Sequence, residues 1–174
     1  MPSPGHTLWL CGLSGSGKST LAGRLAAALR AEGRGVLELD GDRARAGLCR
    51  GLGFTDADRS ENLRRAAEVA RLGVESGLVV VASFITPLAA QRTLARGIVG
   101  AGHFSLVHVA APLEICRQRD VKGLYARGTP QLTGVAQPFE IPADADLVLD
   151  TATASVEATA ARLLDFARPR LSPA

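Results

Sequence analysis

Gly12-Leu13-Ser14-Gly15-Ser16-Gly17-Lys18-Ser19 lies between a short apolar run, Thr7 to Cys11, and an Ala/Leu-rich stretch, Ser19 to Ala31. The string matches GxxxxGK[ST], and its flanks supply the strand and helix which that pattern requires. Its glycines let backbone N–H groups turn inward around an anion, and the following helix points its positive end at the same place. Lys18 is expected to face solvent in the loop and to reach β- and γ-phosphates, with the Ser19 hydroxyl holding Mg²⁺. Gly12, Ser14, Gly15, Gly17, Lys18, Ser19 and Thr20 form the expected nucleotide-phosphate site. A flexible Gly-rich turn is the plain alternative, and the agreement of motif with context argues against it.

Outward from the loop, strands and helices alternate. Strands are expected at Thr7–Cys11, Gly35–Leu39, Leu78–Ala82, Phe104–Ala110 and Leu147–Asp150. Helices are expected at Ser19–Ala31, Arg43–Cys49, Asp56–Ser76, Pro87–Gly100, Pro112–Arg119 and Ala154–Ala167. Asp56 or Asp58 supplies the expected cap of the long helix, and Pro112 occupies a first turn. Val121 to Ile141 carries Gly123, Gly128, Pro130, Gly134 and Pro138 without a period, which predicts a mobile loop. This alternation predicts an α/β, three-layer P-loop NTPase fold: a parallel sheet, helices on both faces, and a lid loop at about 121–142. At 174 residues, 1–174 is expected to be one domain. Ligands of such sheets bind at the carboxyl ends of the strands.

The net charge of +3 comes from scattered basic residues, so no nucleic-acid partner is expected. Cys11, Cys49 and Cys116 show no metal-ligand spacing and suit free thiols in a reducing cytosol. The first residues lack the pattern of a signal peptide, and no apolar run suits a membrane span. A cytoplasmic location follows as the expectation, and a homodimer is left open. Eighteen Arg stand against two Lys, Lys18 and Lys122, with one Asn, Asn62, and one Tyr, Tyr125. Such rare residues are poor surface filler.

The loop pattern alone covers GTPases, ATPases and small-molecule kinases. No NKxD guanine motif occurs, and the length suits a kinase. Asp40-Gly41-Asp42 ends the second strand, followed by Arg45. Carboxylates beside a phosphate loop can orient a hydroxyl nucleophile and hold Mg²⁺ through water; a capped turn is the plain alternative. Arg59 and Asn62 lie three apart, on one helix face, where an Arg can fork onto an anion. A solvated charged face is the plain alternative there.

The strings GLSGSGKST, LDGDRARAGL, LGFTDADRSENLRR, the turn Ile85-Thr86-Pro87, PLEICRQRDVKGLY and LVLDT, taken in order, resemble the adenylylsulfate kinase (APS kinase) family of P-loop kinases. The resemblance runs over roughly residues 7 to 151. It implies transfer of the γ-phosphoryl group of MgATP to the ribose 3′-hydroxyl of adenylylsulfate, giving PAPS in sulfate assimilation. Carried over by position, Asp42 would orient or deprotonate that hydroxyl and share the metal with Ser19. Asp40 would support the metal or phosphate side of the acceptor. Arg45, Arg59 and Asn62 would bind the phosphosulfate and ribose, Phe54 would stack on the base, and Ile85 and Thr86 would line the pocket. Lys122 would approach the transferred group from the lid, and Arg119 and Thr151 would flank the adenine.

Departures from the family pattern cluster on the acceptor side. Arg43 replaces an Asn, Thr86 a Ser, and Leu88 an aromatic residue. The lid is shorter, with Leu132 where the family has a stacking Phe and Ala136 where it has an acidic residue. A different nucleotide acceptor, for example of cytidine diphosphoramidate type, is the alternative within the kinase class. A nucleotide-binding regulator without turnover is the alternative outside it, and Lys18, Ser19, Asp42 and Lys122 together argue against that.

Overall fold

The computed structural model describes residues 4–171. The apolar run before the Gly-rich loop forms β1, His6–Cys11, buried along its whole length. Around it lie β2, Val36–Asp40, β3, Val79–Ser83, β4, Phe104–Ala110, and β5, Leu147–Asp150. The order across the sheet is β2-β3-β1-β4-β5, and every pairing is parallel. β1 is therefore central, and its carboxyl end delivers the loop to the middle of the sheet edge where such folds bind ligands.

Each face of the sheet carries its own core, because alternate strand residues point to opposite sides. Leu8, Leu10, Val81, Val107 and Leu149 meet Leu21, Leu25 and Leu163 of α1, Lys18–Ala31, and α6, Val156–Ala167. Trp9, Val80, Ala82 and Leu106 meet Ala66, Ala70 and Ala95 of α3, Asp56–Glu75, and α4, Ala89–Val99. Small Ala residues let α3 lie close to the sheet. Trp9 stacks on Phe84 with ring centroids 5.1 Å apart. Helices thus cover both faces, as the alternation predicts.

Several boundaries move for physical reasons. α2, Gly41–Ala46, starts earlier than the expected Arg43, because the Asp40 carboxylate accepts from the amides of Asp42 and Arg43 and caps the helix at once. The cap of α3 is the Thr55 hydroxyl, which accepts from Asp58 N at 3.1 Å, rather than Asp56 or Asp58. α5 runs Leu113–Arg119, with Pro112 at the N-cap, one place before the expected first turn. Between α5 and β5 the chain has no helix or strand, only an isolated bridge, Thr133 to Gln137. The three cysteines are free and buried. Among the described residues no helix is long and apolar enough to cross a membrane.

Candidate active site

The loop after β1 wraps so tightly that a Cβ on Gly12 would stand 2.4 Å from the Val109 carbonyl oxygen, and Gly12 has φ 151°. Only glycine fits there. Lys18, at the start of α1, does not face solvent: it is 8% exposed. Its Nζ donates to the Leu13 carbonyl at 2.6 Å and to Ser16 Oγ at 3.5 Å. A buried ammonium must find acceptors, and the loop carbonyl provides one. Burial, and then the neighbouring charge of Lys122, push the Lys18 ammonium down to about 8.

Ser19 Oγ donates to Asp40 Oδ2 at 2.9 Å, and Ser83 Oγ donates to the same oxygen at 3.0 Å. Burial pulls the Asp40 carboxyl upward, but the hydrogen bonds from Ser19, Ser83 and the α2 amides outweigh it and hold it below the usual range. Asp42, two residues on in α2, points elsewhere and forms an ion pair with Lys122 of the lid. The Ser19 hydroxyl therefore sits with Asp40 rather than with Asp42.

Beyond Asp42 the pocket continues between α2, α3 and the lid. Arg45 donates to Gly53 O at 2.9 Å and covers the Phe54 ring at 4.4 Å from its centroid. Phe54 remains 56% exposed. Arg59 departs from the free anion fork expected of it. Its Nε donates to Phe54 O at 2.9 Å, its Nη2 to Gln131 O at 2.7 Å, and its Nη1 to Thr133 Oγ1 at 3.2 Å. It ties α3 to the lid. Asn62, 6% exposed, has a buried Oδ1 with no hydrogen-bond partner among the described residues. Leu132 is buried in the lid wall of this pocket. Thr86 is 1% exposed at φ 45°, and its hydroxyl accepts from Trp9 Nε1 at 2.9 Å, so the hydroxyl serves the wall. The Ile85 carbonyl accepts from Gly12 N at 3.2 Å, joining this wall to the loop.

Cradle, carboxylates, arginines, Asn62, the Ile85–Pro87 turn and the lid thus line one half-open cleft of about 350 Å³. Arg119 and Thr151 lie outside its walls, on the outer flank of the loop. Arg119 Nη1 donates to Thr151 Oγ1 at 3.2 Å, and Thr151 Oγ1 donates to Ser16 O at 2.8 Å.

Sequence reasoning gave four residues of this assembly no role. Tyr125 donates from its hydroxyl to Ser14 O at 2.8 Å, fastening the lid to the loop. Its being the one tyrosine was the available signal. Glu140 donates from its N–H to Pro87 O at 2.9 Å and accepts from Ala89 N at 2.5 Å, closing the far end of the lid. Gly134, φ 86°, lies on the loop itself, where an added Cβ would come within 2.8 Å of Leu13 Cδ2. Arg92 donates to the Thr86 and Pro87 carbonyls. Nothing local in the sequence distinguishes these last three.

The family model for adenylylsulphate kinase matches residues 4–150. The adenylyl-sulfate kinase of Shewanella amazonensis is 47% identical over 166 residues, which are 93% of this chain and 84% of that relative. The adenylyl-sulfate kinase of Shewanella halifaxensis is 47% identical over 163 residues, 91% of this chain and 80% of that relative. The APS kinase CysC of Mycobacterium tuberculosis, solved in complex with AMPPNP and APS, superposes with a TM-score of 0.91 at 40% identity, covering 96% of this chain and 99% of that one. The shikimate kinase of Acinetobacter baumannii, at 15% identity and a TM-score of 0.62 over 94% and 93% of the two chains, shares the fold.

Proposed function

The chain belongs to the adenylylsulfate kinase family, and on that premise we propose that it transfers the γ-phosphoryl group of ATP to the ribose 3′-hydroxyl of adenylylsulfate. The observation that carries this is the single cavity joining the phosphate cradle to the Asp42, Arg59 and Asn62 surfaces. Two substrates held in one enclosure react as if in a single molecule.

The roles follow the geometry. The cradle amides and Lys18 bind the phosphates; the loop carbonyl that Lys18 holds is given up for a phosphate oxygen. Ser19 and Asp40 present a hydroxyl and a carboxylate 2.9 Å apart, hard oxygen donors that suit Mg²⁺ held mainly by phosphates and water. No group of three or more acidic, His or Cys side chains that could cage a metal occurs among the described residues, which fits that mode. When bound, the ion would neutralise charge on the transferred group. Asp42 accepts the proton of the attacking hydroxyl, and Lys122 crosses from the lid to the developing negative charge. Asn62 Oδ1 accepts a hydrogen bond from the acceptor, which removes the cost of a buried orphan oxygen. Phe54 offers a face to the base. We assign residues 121–142 as the lid of one domain spanning 1–174, and Arg119 and Thr151 as the adenine flank.

A coupled assay for ADP release, run with adenylylsulfate and with a panel of other nucleotides, tests the proposal. Turnover is expected with adenylylsulfate and to depend on Mg²⁺. Turnover with a cytidine nucleotide but not with adenylylsulfate would transfer the assignment to the other acceptor.

A further inference from the structure

The Ile85–Pro87 wall of the cavity is held from behind by a side chain in an electrostatically unfavourable place. Arg92 lies in the N-terminal turn region of α4 and is 2% exposed. Its Nη1 donates to the carbonyls of Thr86 and Pro87, each at 3.1 Å. Its Nε is buried with no hydrogen-bond partner, and no carboxylate pairs with it among the described residues. A buried charge lacking a counter-ion is strongly destabilising. The N-terminal end of a helix, with its positive dipole, makes the position worse for a cation. The charge is felt nearby: after burial itself, Arg92 is what lowers the basicity of His108.

Replacing a buried ionic group by a well-packed apolar residue is often neutral or stabilising, so what singles out the arginine here is its pair of hydrogen bonds to the wall. What it supplies is the shape of the wall. Thr86 is β-branched at φ 45°, a strained conformation that surrounding contacts must impose. Trp9 holds its hydroxyl and Arg92 holds its carbonyl. Pro87 O, the second acceptor of Arg92, also takes the amide of Glu140, where the lid ends. Ile85 O takes the amide of Gly12 in the cradle. Arg92 thus fixes the short piece of chain through which cradle, acceptor wall and lid are joined.

We propose that Arg92 is a positioning residue for the acceptor half of the site, holding the Ile85–Pro87 turn and the lid end bound to it in the geometry that receives the acceptor. Its kinetic consequence rests on the function proposed above; its structural consequence does not.

Two readouts on Arg92→Met and Arg92→Lys test this. In hydrogen exchange of the substrate-free protein, Arg92→Met is expected to lose protection at the amides of Leu88, Ala89 and Glu140 while β1 and α1 keep theirs. In steady-state kinetics the acceptor KM is expected to rise about tenfold or more, the scale of a small misplacement in a site. The ATP KM should stay within about twofold. Arg92→Lys, which keeps a charged donor, should recover part of both effects. If the wild type does not turn over adenylylsulfate, the proposed function fails, and the exchange result alone then decides for or against Arg92. Unchanged exchange at Leu88, Ala89 and Glu140, or equal rises in both KM values, overturns the proposal. Should Arg92→Met not fold, Arg92→Lys and Arg92→Gln are read by the same two criteria.

Discussion

Lys122 of the lid and Asp42 of α2 form an ion pair across the cavity, although they stand 80 residues apart in sequence. Their side chains are 46% and 67% exposed, so the pair contributes little to stability, about 0–1 kcal/mol at most. Its effect is placement. The lid brings a cation and α2 brings a carboxylate to the junction between the cradle and the acceptor half.

Asp42→Asn is expected to lower kcat by ~100-fold or more, the scale of a lost base or orienting group, with ATP affinity nearly unchanged. Lys122→Ala should lower kcat without abolishing ATP binding, because Lys18 and the helix end still hold the phosphates. Steady-state kinetics with a separate ATP titration checks both. Collapse of ATP affinity in Asp42→Asn, with turnover of bound substrate preserved, would make Asp42 a metal ligand instead.

Lys18→Met should abolish turnover while melting at or above the wild type at neutral pH. Burial holds the Lys18 ammonium down at about 8 in the folded protein, below the 10.5 of an ordinary lysine side chain. Between those values the unfolded chain binds more protons than the folded one, so wild-type stability rises with pH through that window. Below it, the buried charge destabilises in full. Lys18→Met removes both the penalty and this rise. Chemical melts of substrate-free protein at pH 7 and pH 10 check the sign; a variant with the same pH slope as wild type would refute it.

Arg59→Ala is expected to raise the acceptor KM strongly and leave the ATP KM nearly unchanged. If Arg59 turns to the anionic acceptor, truncating that desolvated charged pair costs roughly 2–5 kcal/mol; its existing bonds to Phe54, Gln131 and Thr133 and its partial exposure place the effect near the lower figure, about 30-fold. Arg59 also fastens the lid through Gln131 and Thr133, so hydrogen exchange at 131–133 should increase in the same variant. Equal effects on ATP and acceptor would contradict the assignment.

Leu132→Phe should tighten adenylylsulfate by restoring an aromatic surface in the lid wall. Base–aromatic stacking contributes roughly 1–3 kcal/mol, so a several-fold fall in acceptor KM is expected without change for ATP. A rise in acceptor KM would show that the leucine suits this pocket better than a ring does.

The phosphate cradle and the alternation of strands and helices were legible in the sequence because both are written in neighbouring residues. Glycine spacing, apolar runs and helical periods act within one or two turns of chain. The residues around Asp40-Gly41-Asp42, Arg59 and Asn62 were legible as a set for the same reason, each lying in a compact string. Their division of labour was not. Asp40 meets Ser19 because β2 and β1 are brought into one sheet through β3. Asp42 meets Lys122, and Arg59 meets Thr133, only once the lid folds over α2 and α3. Lys18 turns inward because a loop carbonyl lies within reach of it, and Arg92 matters because two carbonyls of a strained turn converge on it. Partners of this kind are chosen by distance in space and by the need of buried polar groups for hydrogen bonds. A sequence records the residues, and the tertiary structure decides which of them meet.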